Sequence, residues 1–131
     1  MAAGFIVTAT LAFALALSGC DGATVTQPQD VVFPDSNVRF RGQVQPYFAV
    51  TCANGGCHND MVAAGGIRLT TYSTVLFDRP NLVVPSKPDE SLIIQIMSGI
   101  LNHPAGNLTQ RIAPTQVRGI RKWISEGALN N

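Results

Sequence analysis

The sequence predicts an all-α domain of three or four short helices, and three observations carry that expectation. Apolar residues recur at helical spacing in three stretches, Phe40 to Phe48, Leu92 to Met97 and Val117 to Ile124. The one stretch that alternates, Gly65 to Phe77, does so loosely. The chain has 131 residues, a formal charge of +1 and no visible internal repeat, which describes one small domain.

The leader comes first. Of the first twenty residues 15 are apolar and none is charged. Met1 to Ser18, MAAGFIVTATLAFALALS, has the length of a signal peptide and is too short and Ala-rich for a membrane-spanning helix. It ends in Leu17-Ser18-Gly19-Cys20, which resembles the bacterial lipobox, although the positively charged n-region is missing. The resemblance implies a signal peptide over 1–19, lipidation of Cys20 and anchoring of the exported chain to a bacterial membrane, facing the periplasm or cell surface. The competing reading of Cys20 is a buried thiol in an ordinary helix. Export takes the remaining two cysteines, Cys52 and Cys57, out of the reducing cytosol, where a disulfide or a covalent cofactor is the default expectation.

The stretch that completes residues 20–36, with two prolines and few large apolar residues, reads as a tether. The folded domain is expected over 37–131. Its first helix carries Phe40, Val44, Tyr47 and Phe48, with Pro46 as a late kink. Gly65 to Phe77 is either a short extended segment or a turn of helix. Ser86-x-x-Asp89 reads as a capping box before a helix whose inner face is Leu92, Ile93, Ile96 and Met97. The last helix begins at Pro114, turns Val117, Ile120, Trp123 and Ile124 inward and Arg118, Arg121 and Lys122 outward, and stops at Gly127. Helices this few and short bury little surface, so help from a bridge, a metal or a prosthetic group is expected. The nearly balanced charge gives nucleic acid little to bind.

Residues 52–58 read Cys-Ala-Asn-Gly-Gly-Cys-His. Two thiols followed at once by an imidazole suit covalent haem attachment, each sulfur adding to a vinyl group while the histidine reaches the iron. Four residues separate the cysteines, and a helix would turn the second sulfur by about 140° from the first. The loop must therefore leave helical geometry, which Gly55 and Gly56 permit. A local disulfide is the main alternative. Zinc lacks a clear fourth ligand, and a redox thiol pair would have two intervening residues.

From Val44 to Ala128 further pieces fall in order: Val44-Gln45-Pro46, Gly56-Cys57-His58, Gly65-Gly66-Ile67-Arg68-Leu69, Val83-Val84-Pro85 with Pro88 and Ser91-Leu92, Ile120-Arg121-Lys122-Trp123-Ile124, and Glu126-Gly127-Ala128. This order resembles the small c-type cytochrome domains of bacterial lipoproteins and planctomycete-type cytochromes, where the wider cysteine spacing also occurs. The resemblance implies an all-α fold of three to five short helices around one haem c, with Cys52 and Cys57 holding the porphyrin and His58 as proximal ligand. Such domains place a Met-Pro before the last helix as distal ligand; here the matching place holds His103-Pro104. Histidine there implies bis-histidine ligation and a lower potential than a His/Met relative. Met97 is the second choice and an open site the third; Met61 is too near His58 to reach the other face.

Arg68, Arg79 and Lys87 are candidates for the haem propionates, Arg118, Arg121 and Lys122 for steering an acidic redox partner, and the Pro85 carbonyl for orienting His58. The expected function is a membrane-anchored carrier of single electrons between exported redox proteins or haems, not an enzyme, with association into a homo-oligomer or filament open to it. The rivals are a disulfide-stapled, non-redox binding lipoprotein and a haem sensor or enzyme with an open distal site.

Overall fold

The computed structural model describes Met1 and residues 24–131. The leader and Cys20 lie outside the described residues. Four α-helices follow one another, α1 (Gln45–Val50), α2 (Tyr72–Phe77), α3 (Leu92–Met97) and α4 (Pro114–Ser125), joined by loops and single 3-10 turns, with no strand among the described residues. The fold is all-α, as the spacing of apolar residues predicts. No described helix is long and apolar enough to cross a membrane.

Pro46 acts earlier than expected. It sits in the first turn of α1, and the chain before it forms a wide π-helical turn, Phe40–Val44. The Val44 N–H reaches back five residues to the Arg39 carbonyl at 3.3 Å. Proline has no N–H and its ring crowds the carbonyl four residues earlier, and the wider turn relieves both problems. The Phe40, Val44, Tyr47 and Phe48 side chains still fall on one buried face.

The segment left open between a short extended stretch and a turn of helix contains both, without forming a strand. Ile67 is extended, and α2 starts after Thr71, whose hydroxyl accepts from the Thr74 N–H while its own N–H donates to the Thr74 hydroxyl. That reciprocal cap satisfies two groups a helix start otherwise leaves unpaired.

The capping box expected at Ser86 is not used. Ser86 takes a left-handed conformation, with φ +64°, and Pro88–Glu90 makes only one 3-10 turn. The N–H groups of Leu92 and Ile93 are claimed by the carbonyls of Asn81 and Leu82, so α3 begins later than predicted. Ser91, wholly buried, accepts from the Val84 N–H at 2.9 Å and donates to the Lys87 carbonyl at 3.0 Å. The inner face of α3 is Ile93, Ile94 and Met97, with Ile94 in the place predicted for Ile96.

Helix α4 begins at Pro114 as predicted and buries Ile120, Trp123 and Ile124 completely. The Trp123 ring lies 5.6 Å from Phe40, which in turn meets Tyr72 edge-on at 5.4 Å. Both polar handles in this cluster are satisfied: the Trp123 N–H donates to the Leu129 carbonyl and the Tyr72 hydroxyl to the Ala128 carbonyl. Glu126 accepts from the Asn37 and Val38 N–H groups, tying the end of α4 to the start of the domain.

The described part of the expected tether is not a free chain. Val31 is buried, and Phe33 packs edge-on to Tyr47 at 5.8 Å and lies over Gly119 of α4. The Gln116 amide donates to the Pro28 carbonyl at 2.7 Å. Composition alone hid this docking, because two apolar side chains among prolines and polar residues carry no periodicity.

Candidate functional site

The loop after α1 is built as the Cys-x4-Cys-His spacing demands. Gly55 and Gly56 adopt φ +64° and +82°, breaking the helix between the cysteines, and the His58 N–H closes the loop onto the Cys52 carbonyl at 3.0 Å. The Cys57 carbonyl accepts from the Ala64 N–H, and Asn59 folds the next turn by accepting from Met61 and Val62. Cys52 and Cys57 are both free thiols. Cys57 is exposed, whereas Cys52 is partly buried beside the Thr51 hydroxyl. Burial pushes the Cys52 thiol up, and the neighbouring Cys57 adds to this against the Thr51 hydroxyl.

His58 is held at two points. Its ring Nδ1 lies 3.1 Å from the Ile67 carbonyl, and its own carbonyl accepts from the Leu69 N–H at 2.8 Å. A carbonyl can only accept, so Nδ1 carries the proton and Nε2 keeps its lone pair, the form a metal ligand needs. Ile67 thus takes the part expected of Pro85, which is exposed elsewhere on the chain. The segment between the two anchor points is itself fixed. Arg68 makes a two-pronged pair with Asp78 at the end of α2, 2.8 Å at each prong, and its backbone N–H adds a third bond at 2.9 Å. The side-chain hydrogen bonds from Arg68 hold the Asp78 carboxyl below the usual range.

His103 projects from a tight turn rather than a helix. The Gly106 N–H closes the turn on the His103 carbonyl at 2.9 Å, with Gly106 at φ +105°. The fold brings the two histidines together: their ring centres are 5.9 Å apart and their planes nearly perpendicular at 83°. The His103 Nδ1 accepts from the Ala105 N–H at 3.0 Å. Burial lowers its pKa, and the nearby His58 lowers it further. Beside His103 lies a cavity of about 350 Å³, lined in part by Ile96, Leu101, Leu108 and Thr109.

Other candidates fall away from this pair. Met97 is core, only 4% exposed. Met61, at 94%, stands in solvent, and Val62, Ile100 and Leu101 are exposed on the same two loops that carry the histidines. Of the basic side chains considered for propionates or partners, Arg68 is taken by Asp78, Lys87 by Glu90, Arg121 by Asp89 and Lys122 by Glu126. Arg79 and Arg118 make no ion pair among the described residues and are exposed. Sequence reasoning missed Ile67 and Ala105, which act through backbone atoms and leave no side-chain signal, and Asp78, ten residues from its partner.

Among the described residues no three His, Cys, Asp or Glu side chains gather into a metal-binding group. No protein-family model, curated protein or solved structure matches the chain.

Proposed function

We propose that this chain is a monohaem c-type cytochrome that carries single electrons between exported redox partners. The observation that supports it best is the pairing of His58 with His103 beside the Cys52 to Cys57 loop. Two imidazoles on opposite sides of one metal, each bound at about 2.0 Å, have ring centres roughly 6 Å apart. The centres here are 5.9 Å apart, and neither Nε2 has a hydrogen-bond partner among the described residues.

The donor set fits a haem. An iron that brings four nitrogens of its own needs only one or two from the protein, and this is what the two loops offer. His58 is already in the ligand tautomer, Cys57 is open to a vinyl group, and Cys52 lies one non-helical turn away. The apolar side chains of Met61, Val62, Ile100 and Leu101 stand exposed on the same loops, where a porphyrin face would cover apolar surface. When bound, the haem supplies a one-electron iron couple. Cys52 and Cys57 would attach it, His58 would hold it, and His103 would be the second residue available to it. Lipidation at Cys20 and attachment to a bacterial membrane complete the reading.

The test is a pyridine haemochrome spectrum of protein purified from a host with a cytochrome c maturation system. The expected result is a c-type spectrum and an intact mass raised by one haem. Haem-free protein with Cys52 and Cys57 oxidised to each other would instead establish the stapled, non-redox lipoprotein.

A further inference from the structure

The chain contains one Asn-Gly pair, Asn54-Gly55, and it lies in the loop between the two cysteines. Glycine has no Cβ to crowd its own backbone nitrogen, so the amide carbon of an asparagine just before it faces an unshielded nucleophile. The fold leaves the pair open. Both residues are exposed, and among the described residues nothing beyond the chain neighbours lies within 4 Å of where a Cβ on Gly55 would stand.

The reacting groups also face each other. The Gly55 N–H donates to the Asn54 Oδ1 at 2.7 Å. The amide carbon is one C=O bond, about 1.23 Å, from that oxygen, which puts it within about 4 Å of the Gly55 nitrogen. Other asparagines are arranged differently. Asn59 turns its oxygen to the N–H groups of Met61 and Val62, and Asn107 turns its own to Thr109, each two or three residues on. Asn37, Asn81, Asn102 and Asn130 precede Val38, Leu82, His103 and Asn131, all of which carry a Cβ beside the nitrogen that would attack.

We infer that Asn54-Gly55 is a site of self-catalysed deamidation, a one-way modification of the cysteine loop with water as its co-reactant. The Gly55 nitrogen gives up its proton to solvent and attacks the Asn54 Cγ. A C–N bond forms, the bond from Cγ to Nδ2 breaks, and the amide nitrogen leaves as ammonia with a proton from solvent. Water then opens the cyclic imide at either carbonyl, giving an aspartyl or an isoaspartyl residue; nothing is oxidised or reduced. No step uses a thiol or an iron, so the inference goes beyond the haem reading and does not rest on it. Either product adds a carboxylate to the loop and takes the formal charge from +1 to zero. The isoaspartyl form also inserts one main-chain atom between Cys52 and Cys57, in the loop that the His58 N–H closes onto the Cys52 carbonyl at 3.0 Å. The spacing that positions both thiols and the histidine therefore changes as the protein ages.

The test holds the full chain in mildly alkaline buffer made with heavy-oxygen water and follows the peptide around residue 54 by mass spectrometry. The expected result is an exchange of NH for O at Asn54 before any other asparagine, heavy oxygen in the product, and isoaspartyl in excess over aspartyl. The folded chain should react at a rate within about threefold of the same chain unfolded in urea, because the fold already holds nitrogen and carbon near each other. Asn54→Gln, which has to close a larger ring, should slow the reaction at that position by about tenfold or more. Loss of ammonia first from another asparagine, a folded chain slower than that margin, or an undiminished rate in Asn54→Gln overturns the inference.

Discussion

The arrangement of His58 depends on a residue that makes no hydrogen bond to it. Arg68 lies between Ile67, which fixes the ring, and Leu69, which fixes the backbone, and its fork to Asp78 keeps that segment in place. Lysine offers one point charge where arginine offers a planar fork, so Arg68→Lys should loosen the segment although it keeps the charge. The expected outcome is a broadened or shifted histidine ring resonance for His58 in NMR spectra, with the helical circular dichroism retained; unchanged resonances would mean that Ile67 and Leu69 hold the histidine unaided. The two thiols should also differ. Thiolate is the reactive form, and Cys52 is partly buried with its pKa raised, so iodoacetamide should modify Cys57 first in haem-free protein. Mass mapping at short times checks this, and equal labelling would contradict the burial. At this scale the sequence was legible where chemistry resides in side chains. Cys52, Cys57 and His58 stand together in the chain, and the need for a non-helical loop at Gly55-Gly56 followed from geometry. The partners at Ile67 and Ala105 were not legible, because any residue carries the same carbonyl and N–H.

Among the elements, α4 was the most legible, since a proline at its start, a glycine past its end and a strong apolar stripe all agree. Helix α3 was less so. Its start was set by Asn81 and Leu82, distant in sequence from any local capping signal, and Ser86 was drawn into a left-handed turn instead. The contact between α4 and the docked segment before the domain makes a sharp prediction. A Cβ at Gly119 would overlap the Phe33 ring. Although alanine favours helix over glycine by about 1 kcal/mol, Gly119→Ala should destabilise the protein by about 1–3 kcal/mol as Phe33 is displaced. In a Phe33→Ala background the same substitution should be neutral or stabilising, because the clash is gone. Chemical denaturation of the four proteins gives the cycle, and additive effects would show that Phe33 does not rest on α4.

For the whole molecule, the aromatic cluster around Trp123 joins α4, α2 and the turn before α1, with Trp123 and Phe40 buried and Tyr72 partly buried, and among the described residues no buried side-chain polar atom lacks a partner. Trp123→Ala should cost about 3–5 kcal/mol, enough to unfold a small domain. Stability should also fall in acid. Asp78 is held below the usual carboxylate range by Arg68; at Glu126 desolvation opposes the shift, but the N–H groups of Val38 and Asn37 and the Lys122 ammonium outweigh it. Groups whose folded pKa is depressed stabilise the fold above their unfolded pKa, and lose that contribution as pH falls through the folded value. Denaturation midpoints measured from pH 7 down to 3 should therefore drop on the acid side, and Asp78→Asn should flatten the drop; an unchanged slope would remove Asp78 from the account. The docking of Val25, Val31 and Phe33 also sets a length scale. If all of residues 20–36 were free, a lipid on Cys20 could stand roughly 60 Å from Val38 at full extension, whereas the five steps from Cys20 to Val25 span at most about 18 Å. On the lipoprotein reading the domain is then held on a short leash against the bilayer. If the chain carries electrons as proposed, its partners would have to meet it within that shallow layer, by lateral diffusion in the same membrane or by reaching down to its surface.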